Sequence, residues 1–331
     1  MKAVSPYRGR WGSGEPQQPE WIEVPDPTVR EGEALVRVRA AALNRGDLLQ
    51  MRGLYPPPPG ASDVPGLECA GVVEAVGEGV DGVAVGDEVV ALLAGGGQAE
   101  WVAVDAGQLM PKPPHLTWTQ AGGLAEVALT SWTNLVYEGG LQAGQSVLIT
   151  AAASGVGSYC VPLARELGAR VFVAGRKPDR LEPLRDRGAE GTIVLGKDVG
   201  KQVRELVPEG VDLILDLVGG PGVSDLLPAL RDRGRLVLLG LLGGTEATLP
   251  LGDVLRRRLE IRGSVLRSRS SEEKRGLIRS FQAFASDRWS GGALDPLIDS
   301  EMPMSECARA YDRMAEQEIF GKIVLTDGAS A

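Results

Sequence analysis

The stretch Ser146–Gly168, SVLITAAASGVGSYCVPLARELG, constrains this chain more than any other. A short apolar run, Val147 to Thr150, passes through small residues and the turn Gly155-Val156-Gly157 into a segment of helical character. That is the layout of a strand-turn-helix unit that holds a dinucleotide. Small side chains let the backbone approach a pyrophosphate, and the helix start offers unpaired N–H groups and a partial positive charge. The glycine fingerprint is degenerate, with Ala152, Ser154 and Gly157 at the three glycine positions of G-x-G-x-x-G. Taken alone, these residues also suit a plain strand-to-helix turn in any α/β protein. Pro162 falls inside the predicted helix, where an interior proline removes a hydrogen bond and costs about 3 kcal/mol. Either the helix starts late enough to bring it near the first turn, or it kinks there.

The residues that follow favour the nucleotide. Arg170 to Ala174 reads as the second strand, and where an acidic residue would hold the 2′-hydroxyl of NAD the chain has Gly175-Arg176-Lys177, then Arg180. A guanidinium grips a 2′-phosphate through charge-assisted hydrogen bonds, whereas a carboxylate would repel it. The residues therefore predict NADPH rather than NADH as cofactor. The competing reading is that these cations only solvate a helix start.

Residues 1 to about 120 read as β-rich, with strands at 33–40, 71–76, 87–93 and 100–104 punctuated by Gly and Pro clusters, and suggest a compact barrel-like domain. From about Gln120 the rhythm changes. Apolar strands at 147–150, 170–174, 192–195, 212–216 and 235–239 alternate with helical segments near 158–167, 179–187, 198–207, 223–232 and 252–259. Such alternation predicts a parallel sheet covered on both faces. Two further helices, 271–288 and 304–317, precede a closing strand, Gly321 to Leu325. That strand has no local partner and is expected to rejoin the first domain, making the second domain an insertion.

At 331 residues and 43% hydrophobic content, two cores can be filled. The net charge of −9 disfavours nucleic acid and anionic membranes, which require a concentrated basic surface. Arg256-Arg257-Arg258 and the run RSRSSEEKR, Arg267 to Arg275, lie beside acids and are expected to be solvated helix faces. No run of about 18 apolar residues occurs and the first residues lack a signal-peptide core, so a cytoplasmic protein is expected. Cys69, Cys160 and Cys307 are few and widely spaced, and predict small buried hydrophobes rather than disulfides or a zinc knuckle.

The order of β domain, inserted AAASGVG domain and terminal GKIVL strand resembles the medium-chain dehydrogenase/reductase superfamily. Ala42 to Gly71, Leu92 to Val102 and Gly240 to Gly244 are similar to the zeta-crystallin-type quinone oxidoreductases, and within them to the tumour-suppressor-inducible subgroup. The resemblance implies a GroES-like catalytic domain, 1–121 and 266–331, around an inserted Rossmann doubly wound cofactor domain, 122–265. It implies that Ser154, Gly155, Val156 and Gly157 line the pyrophosphate and nicotinamide side, with Gly175, Arg176, Lys177 and Arg180 around the 2′-phosphate. Asn44, Thr130, Gly240, Leu241 and Leu242 would hold the nicotinamide end, and Val218 and Leu266 would close over the cofactor. Leu195 departs from the pattern, since several relatives place a tyrosine there, near the adenine ribose.

Zinc-dependent members carry a ligand Cys where this chain has Asn44, and a ligand His where Gly66-Leu67-Glu68 has Leu67. Neither an amide nor a leucine replaces thiolate or imidazole, so no metal is expected. The single histidine, His115, lies in a Pro-rich loop and is expected at the surface. The implied activity is NADPH-dependent hydride transfer to a quinone, an acceptor whose reduced anion needs no Lewis acid. Tyr55, Asn44 and Ser154 are the candidate hydrogen-bond donors to it. Each has a bland counterpart: Tyr55 packing on its polyproline neighbour, Asn44 satisfying a turn, Ser154 tolerated as a small residue. The competing functions are an enal or enoyl-thioester reductase and a non-catalytic NADPH-binding protein. By analogy with the family a homodimer is expected.

Overall fold

A computed structural model describes residues 1–196, 198–316 and 318–328. The chain divides into two compact units, one formed by Met1–Leu129 together with Arg267 onward, the other by Thr130–Leu266.

The first unit carries β1 (Lys2–Val4), β2 (Trp21–Glu23), β3 (Glu33–Ala42), β4 (Glu68–Val76), β5 (Glu88–Leu92), β6 (Trp101–Asp105) and β7 (Leu109–Pro111). β3 alternates over its first half: Ala34, Val36 and Val38 are buried, while Glu33, Leu35 and Arg37 point away. That period of two lets one face pack on the core while the other stays wet. The second unit carries β8 (Ser146–Thr150), β9 (Arg170–Gly175), β10 (Ala189–Val194), β11 (Val211–Asp216), β12 (Leu230–Leu238) and β13 (Glu260–Gly263). β14 (Ile298–Pro303) and β15 (Lys322–Thr326) return to the first unit.

In the first unit the strands run β14-β15-β3-β4-β5-β7, with β6 also on β3, and the closing strand β15 pairs antiparallel with β3 through Val324 and Ala42. The chain's last strand thus rejoins its first domain, as its isolation in the sequence predicts. In the second unit the order is β10-β9-β8-β11-β12-β13, every pairing parallel. β8 is buried along its whole length and β9 at all but its first residue, because both faces are covered. The order reverses direction between β8 and β11, which creates a crevice beyond their carboxyl ends.

Three local expectations change. Pro162 sits well inside the helix Gly155–Glu166, not near its first turn, and leaves the Ser158 carbonyl without its usual intrahelical donor. The predicted helix 223–232 stops after two short turns, and its end, Leu230 onward, is the start of β12. The run from Arg267 is not a solvated face throughout: Arg267 and Lys274 are both 4% exposed.

Candidate functional site

The turn between β8 and the helix Gly155–Glu166 is shaped for close backbone approach. Ser154 is the N-cap, its hydroxyl accepting a hydrogen bond from Gly157 N–H at 3.2 Å. A Cβ on Gly157 would lie 2.6 Å from the Ala151 carbonyl oxygen and 2.7 Å from Ala152 Cα, both backbone atoms that cannot yield. Only glycine fits where helix and strand meet this closely. Ala151 itself adopts a φ of 45°, a left-handed conformation uncommon for alanine.

Across the switch point the strand ends are tied by buried polar groups. Thr150 Oγ1 donates to Asp216 Oδ1 at 2.8 Å and accepts from Leu217 N–H at 2.9 Å. Asp216 also accepts from the N–H groups of Val218 and Gly219, each at 3.0 Å. The segment after β12 packs directly against this bend: a Cβ on Gly219 would meet the Gly240 carbonyl oxygen at 2.5 Å, and Gly243 N–H donates to Val218 O at 2.8 Å. Val218, Gly240 and Leu241 are therefore brought together, with Leu241 and Leu242 about half exposed.

Beside the bend is a cavity of about 260 Å³ lined by Thr150, Arg176, Leu195, Asp216, Val218 and Gly219, among others. Arg176 and Val218, far apart in sequence, thus share one cavity, and Leu195 sits in it too. Lys177 and Arg180 lie outside that lining, on the turn Pro178–Arg180 that follows Arg176. Of the two acids in this cavity, Asp216 at the end of β11 has its oxygens engaged by three donors, while Asp225 on the short helix Val223–Leu226 also lines the wall. Gly175 ends β9, its carbonyl accepting from Leu195 N–H at 2.8 Å. Thr130 opens the second unit and its carbonyl accepts from Asn134 Nδ2 at 2.7 Å; Leu266 closes the unit and is buried.

Asn44 and Tyr55 belong to the first unit and enter two separate polar clusters. Asn44 caps the helix Arg45–Gln50, but its side chain does more than satisfy a turn. Its Nδ2 donates to Glu68 Oε1 at 3.0 Å, and Lys322 Nζ donates to Asn44 Oδ1 at 2.5 Å and lies 2.7 Å from Glu68 Oε1. Glu68 is fully buried and its other oxygen accepts from Glu126 N–H at 2.9 Å. An ammonium group therefore stands beside Asn44 and Glu68. Leu67, at the position of a zinc-ligand histidine, is a buried core residue. Among the described residues no group of three or more His, Cys, Asp or Glu side chains is placed to hold a metal ion.

Asp47, on the same short helix, is fully buried and accepts from Asn44 N–H (2.7 Å), Gly66 N–H (3.0 Å) and Gln98 Nε2 (3.2 Å). Burial outweighs these bonds and pushes its carboxyl up to about 6. Tyr311 Oη donates to Gln98 Oε1 at 2.7 Å, so the network is satisfied at its far end.

Tyr55 packs neither on its prolines alone nor in the open. The Arg267 guanidinium lies 4.8 Å from its ring centroid and donates to its carbonyl at 3.0 Å. Burial raises the phenol to about 12, so it is a neutral hydrogen-bond donor at physiological pH. His115 lies half-exposed with Nε2 2.8 Å from Asp295 Oδ1, and all three cysteines are free and buried.

Arg267, Lys274, Lys322, Glu68 and Asp47 were not foreseen as site residues. For Lys322 a signal existed: a lysine at the head of a strand, KIVLT, that is buried on both faces has no solvated side to turn to.

These strand ends and this turn define a two-unit α/β protein whose second unit has the build of a dinucleotide-binding domain. Residues 30–138 match the alcohol dehydrogenase GroES-like domain and residues 155–283 the zinc-binding dehydrogenase domain. The human synaptic vesicle membrane protein VAT-1 homolog is 30% identical over 319 residues, covering 91% of this chain and 81% of that one. The chain spans 65% of the zebrafish (Danio rerio) VAT-1 homolog, at 29% identity over 317 residues. A quinone oxidoreductase of Lama guanicoe is 27% identical over 310 residues, 92% of this chain and 91% of that one. Among solved structures, the Thermus thermophilus quinone oxidoreductase, also solved in complex with NADPH, superposes with a TM-score of 0.82 at 31% identity over 98% of this chain and 100% of that one. The CurK enoyl reductase does so at 0.84 and 27%, over 98% of each chain, and an NAD-dependent alcohol dehydrogenase at 0.85 and 31%, over 99% and 100%. The chain belongs to the medium-chain dehydrogenase/reductase superfamily, with a GroES-like domain and a parallel-sheet Rossmann-like domain. No helix among the described residues is long and apolar enough to cross a membrane.

Proposed function

We propose that this protein is an NADPH-dependent, metal-free reductase that transfers hydride to quinones. The observation that carries the cofactor is the cavity at the switch point with Arg176 on its wall, where β9 ends at Gly175 and is followed by Arg176-Lys177 rather than an acid. The residues suit the cofactor: Gly157 leaves no room for a Cβ at the turn, and Ser154 caps the helix that faces a pyrophosphate. In this reading Ser154, Gly155, Val156 and Gly157 hold the pyrophosphate, and Gly175, Arg176, Lys177 and Arg180 surround the 2′-phosphate. Thr130, Gly240, Leu241, Leu242 and Asn44 hold the nicotinamide end, while Val218 and Leu266 cover it. In this reading the unit of Met1–Leu129 and Arg267 onward is the catalytic domain and the unit Thr130–Leu266 the cofactor domain.

Bound there, NADPH supplies a hydride, and the quinone takes up that hydride and one proton to become the hydroquinone. Tyr55 donates a hydrogen bond to the oxygen that gains charge, a task suited to a phenol kept neutral by burial. Asn44, fixed by Glu68 and Lys322, orients the same end, and the Ser154 hydroxyl is a further donor. The residues at the zinc-ligand positions, an amide and a leucine, supply no ligand for a Lewis acid. A quinone does not require one, because its reduced form is aromatic. We place the protein in the cytoplasm, as a homodimer. β13 is an edge of its sheet flanked by exposed Leu251, Leu255, Ile261 and Val265, a surface suited to a second copy.

The likeness to the CurK enoyl reductase favours a second reading, reduction of an activated alkene, with the same cofactor geometry and a proton delivered to carbon. Following NADPH absorbance with naphthoquinones, phenanthrenequinone, an enal and an enoyl thioester tests both. Oxidation with the quinones supports the first reading. Preference for the alkenes transfers the activity to the second, and no oxidation with any acceptor leaves an NADPH-binding protein without turnover.

A further inference from the structure

Arg267 has a setting that its sequence neighbours conceal. It is 4% exposed, yet every partner of its guanidinium is neutral: Nε donates to the Ala94 carbonyl (2.8 Å), Nη1 to the Tyr55 carbonyl (3.0 Å) and Nη2 to Gln50 Oε1 (2.7 Å). The Tyr55 ring lies against its face, 4.8 Å from the ring centroid. Arg267 forms no ion pair among the described residues, although removing a charge from water is costly unless an opposite charge compensates. Its own carbonyl accepts from a second buried cation, Lys274 Nζ, at 2.8 Å. Two segments far from it in sequence, residues 50–55 and Ala94, are thus gathered around one charge that Asp47 and Glu126 attract without forming an ion pair with it.

We propose that Arg267 is the positioning residue for Tyr55: its fork fixes the Tyr55 loop, and its buried charge against the ring favours negative charge gathering at the phenol and at an acceptor oxygen bonded to it. The inference rests on the quinone reading and deepens it. It names the acceptor class as one whose reduced form is an oxygen anion, which a fixed buried cation stabilises. The other charged groups that act on Tyr55 are Asp47 and Glu126, and both oppose negative charge there. Arg267 is the group that acts in the favourable sense.

The test places 3-nitrotyrosine at position 55 of the full-length protein, so that the ring's ionisation is followed by its own absorbance without turnover. In an Arg267→Met background the nitrophenol should ionise at a pH higher by about one unit or more, as expected when a unit charge a few ångströms away is removed. Gln50→Glu keeps Arg267 but sets a carboxylate on Nη2, and should raise the ionisation in the same direction while preserving the fold. Arg267→Lys, which keeps the charge, should restore most of the wild-type value. Unchanged ionisation in both Arg267→Met and Gln50→Glu overturns the proposal. So does a rise in Arg267→Lys equal to that in Arg267→Met, which would mean that only packing matters. These readings do not depend on any acceptor being reduced, so an absence of quinone turnover would count against the proposed function and not against this role of Arg267.

Discussion

Lys322→Met probes the polar centre of the first unit. The ammonium is 4% exposed and its carboxylate partner Glu68 is fully buried, at 2.7 Å, with Asn44 Oδ1 at 2.5 Å from the same nitrogen. Methionine retains most of the volume, so the change removes charge and two hydrogen bonds rather than opening a cavity. What remains is a buried carboxylate held only by Asn44 Nδ2 and Glu126 N–H. Leaving one member of a buried pair uncompensated costs about 3–5 kcal/mol. Glu68→Gln alone should cost about 1–3 kcal/mol, because an amide nitrogen would be turned toward the ammonium or toward Asn44. In the double variant the orphaned charge is gone and Asn44 can turn its carbonyl to the new amide, so the losses should fall short of their sum by at least about 1 kcal/mol. Urea unfolding followed by far-UV circular dichroism measures all three. A Lys322→Met loss below about 1 kcal/mol, or losses that simply add, would refute the view that this pair is coupled and desolvated.

Two further outcomes follow from named contacts. Gly157→Ala should destabilise the protein by about 1–3 kcal/mol and weaken NADPH binding, because its Cβ meets backbone at 2.6 Å; unchanged melting and nucleotide titration would contradict the close approach. The Asp47 carboxyl is raised from 3.8 to about 6 by burial, so its contribution is fully present below the unfolded value and is lost as pH rises through about 6. The stability of the wild type relative to Asp47→Asn should fall by about 2 kcal/mol between pH 4 and pH 7 in urea titrations, and a difference that is flat or rises with pH would be inconsistent with that origin.

The parallel sheet was legible because β8, β9 and β11 carry short apolar runs, Val147–Ile149, Val171–Ala174 and Leu213–Leu215, that alternate with helical segments. Edges were not. All four residues of β13 are exposed and β1 and β2 are three residues long, so neither alternation nor apolar content marks them. The segment Leu230-Arg-Asp-Arg-Gly-Arg-Leu reads as helix or loop until its pairing with β11 is seen, where a register shift between Val211 and Leu213 accommodates the kink at Arg233, φ 60°. The turn into the helix Gly155–Glu166 was readable because its residues are contiguous. The burial of Arg267 was not, because its acceptors lie 173 to 217 residues away, and a run rich in charge looks solvated until those carbonyls are in place.

The most direct test of the central claim is a titration of NADPH and NADH, followed by nicotinamide fluorescence, on the wild type and on Arg176→Ala/Arg180→Ala. The wild type should bind NADPH more tightly than NADH. The double variant should lose NADPH affinity on the order of 10- to 100-fold, reduced from the full value of charge-assisted bonds by the exposure of Arg176, with NADH nearly unchanged. Equal affinity for the two nucleotides in the wild type, or equal loss of both in the variant, would contradict it.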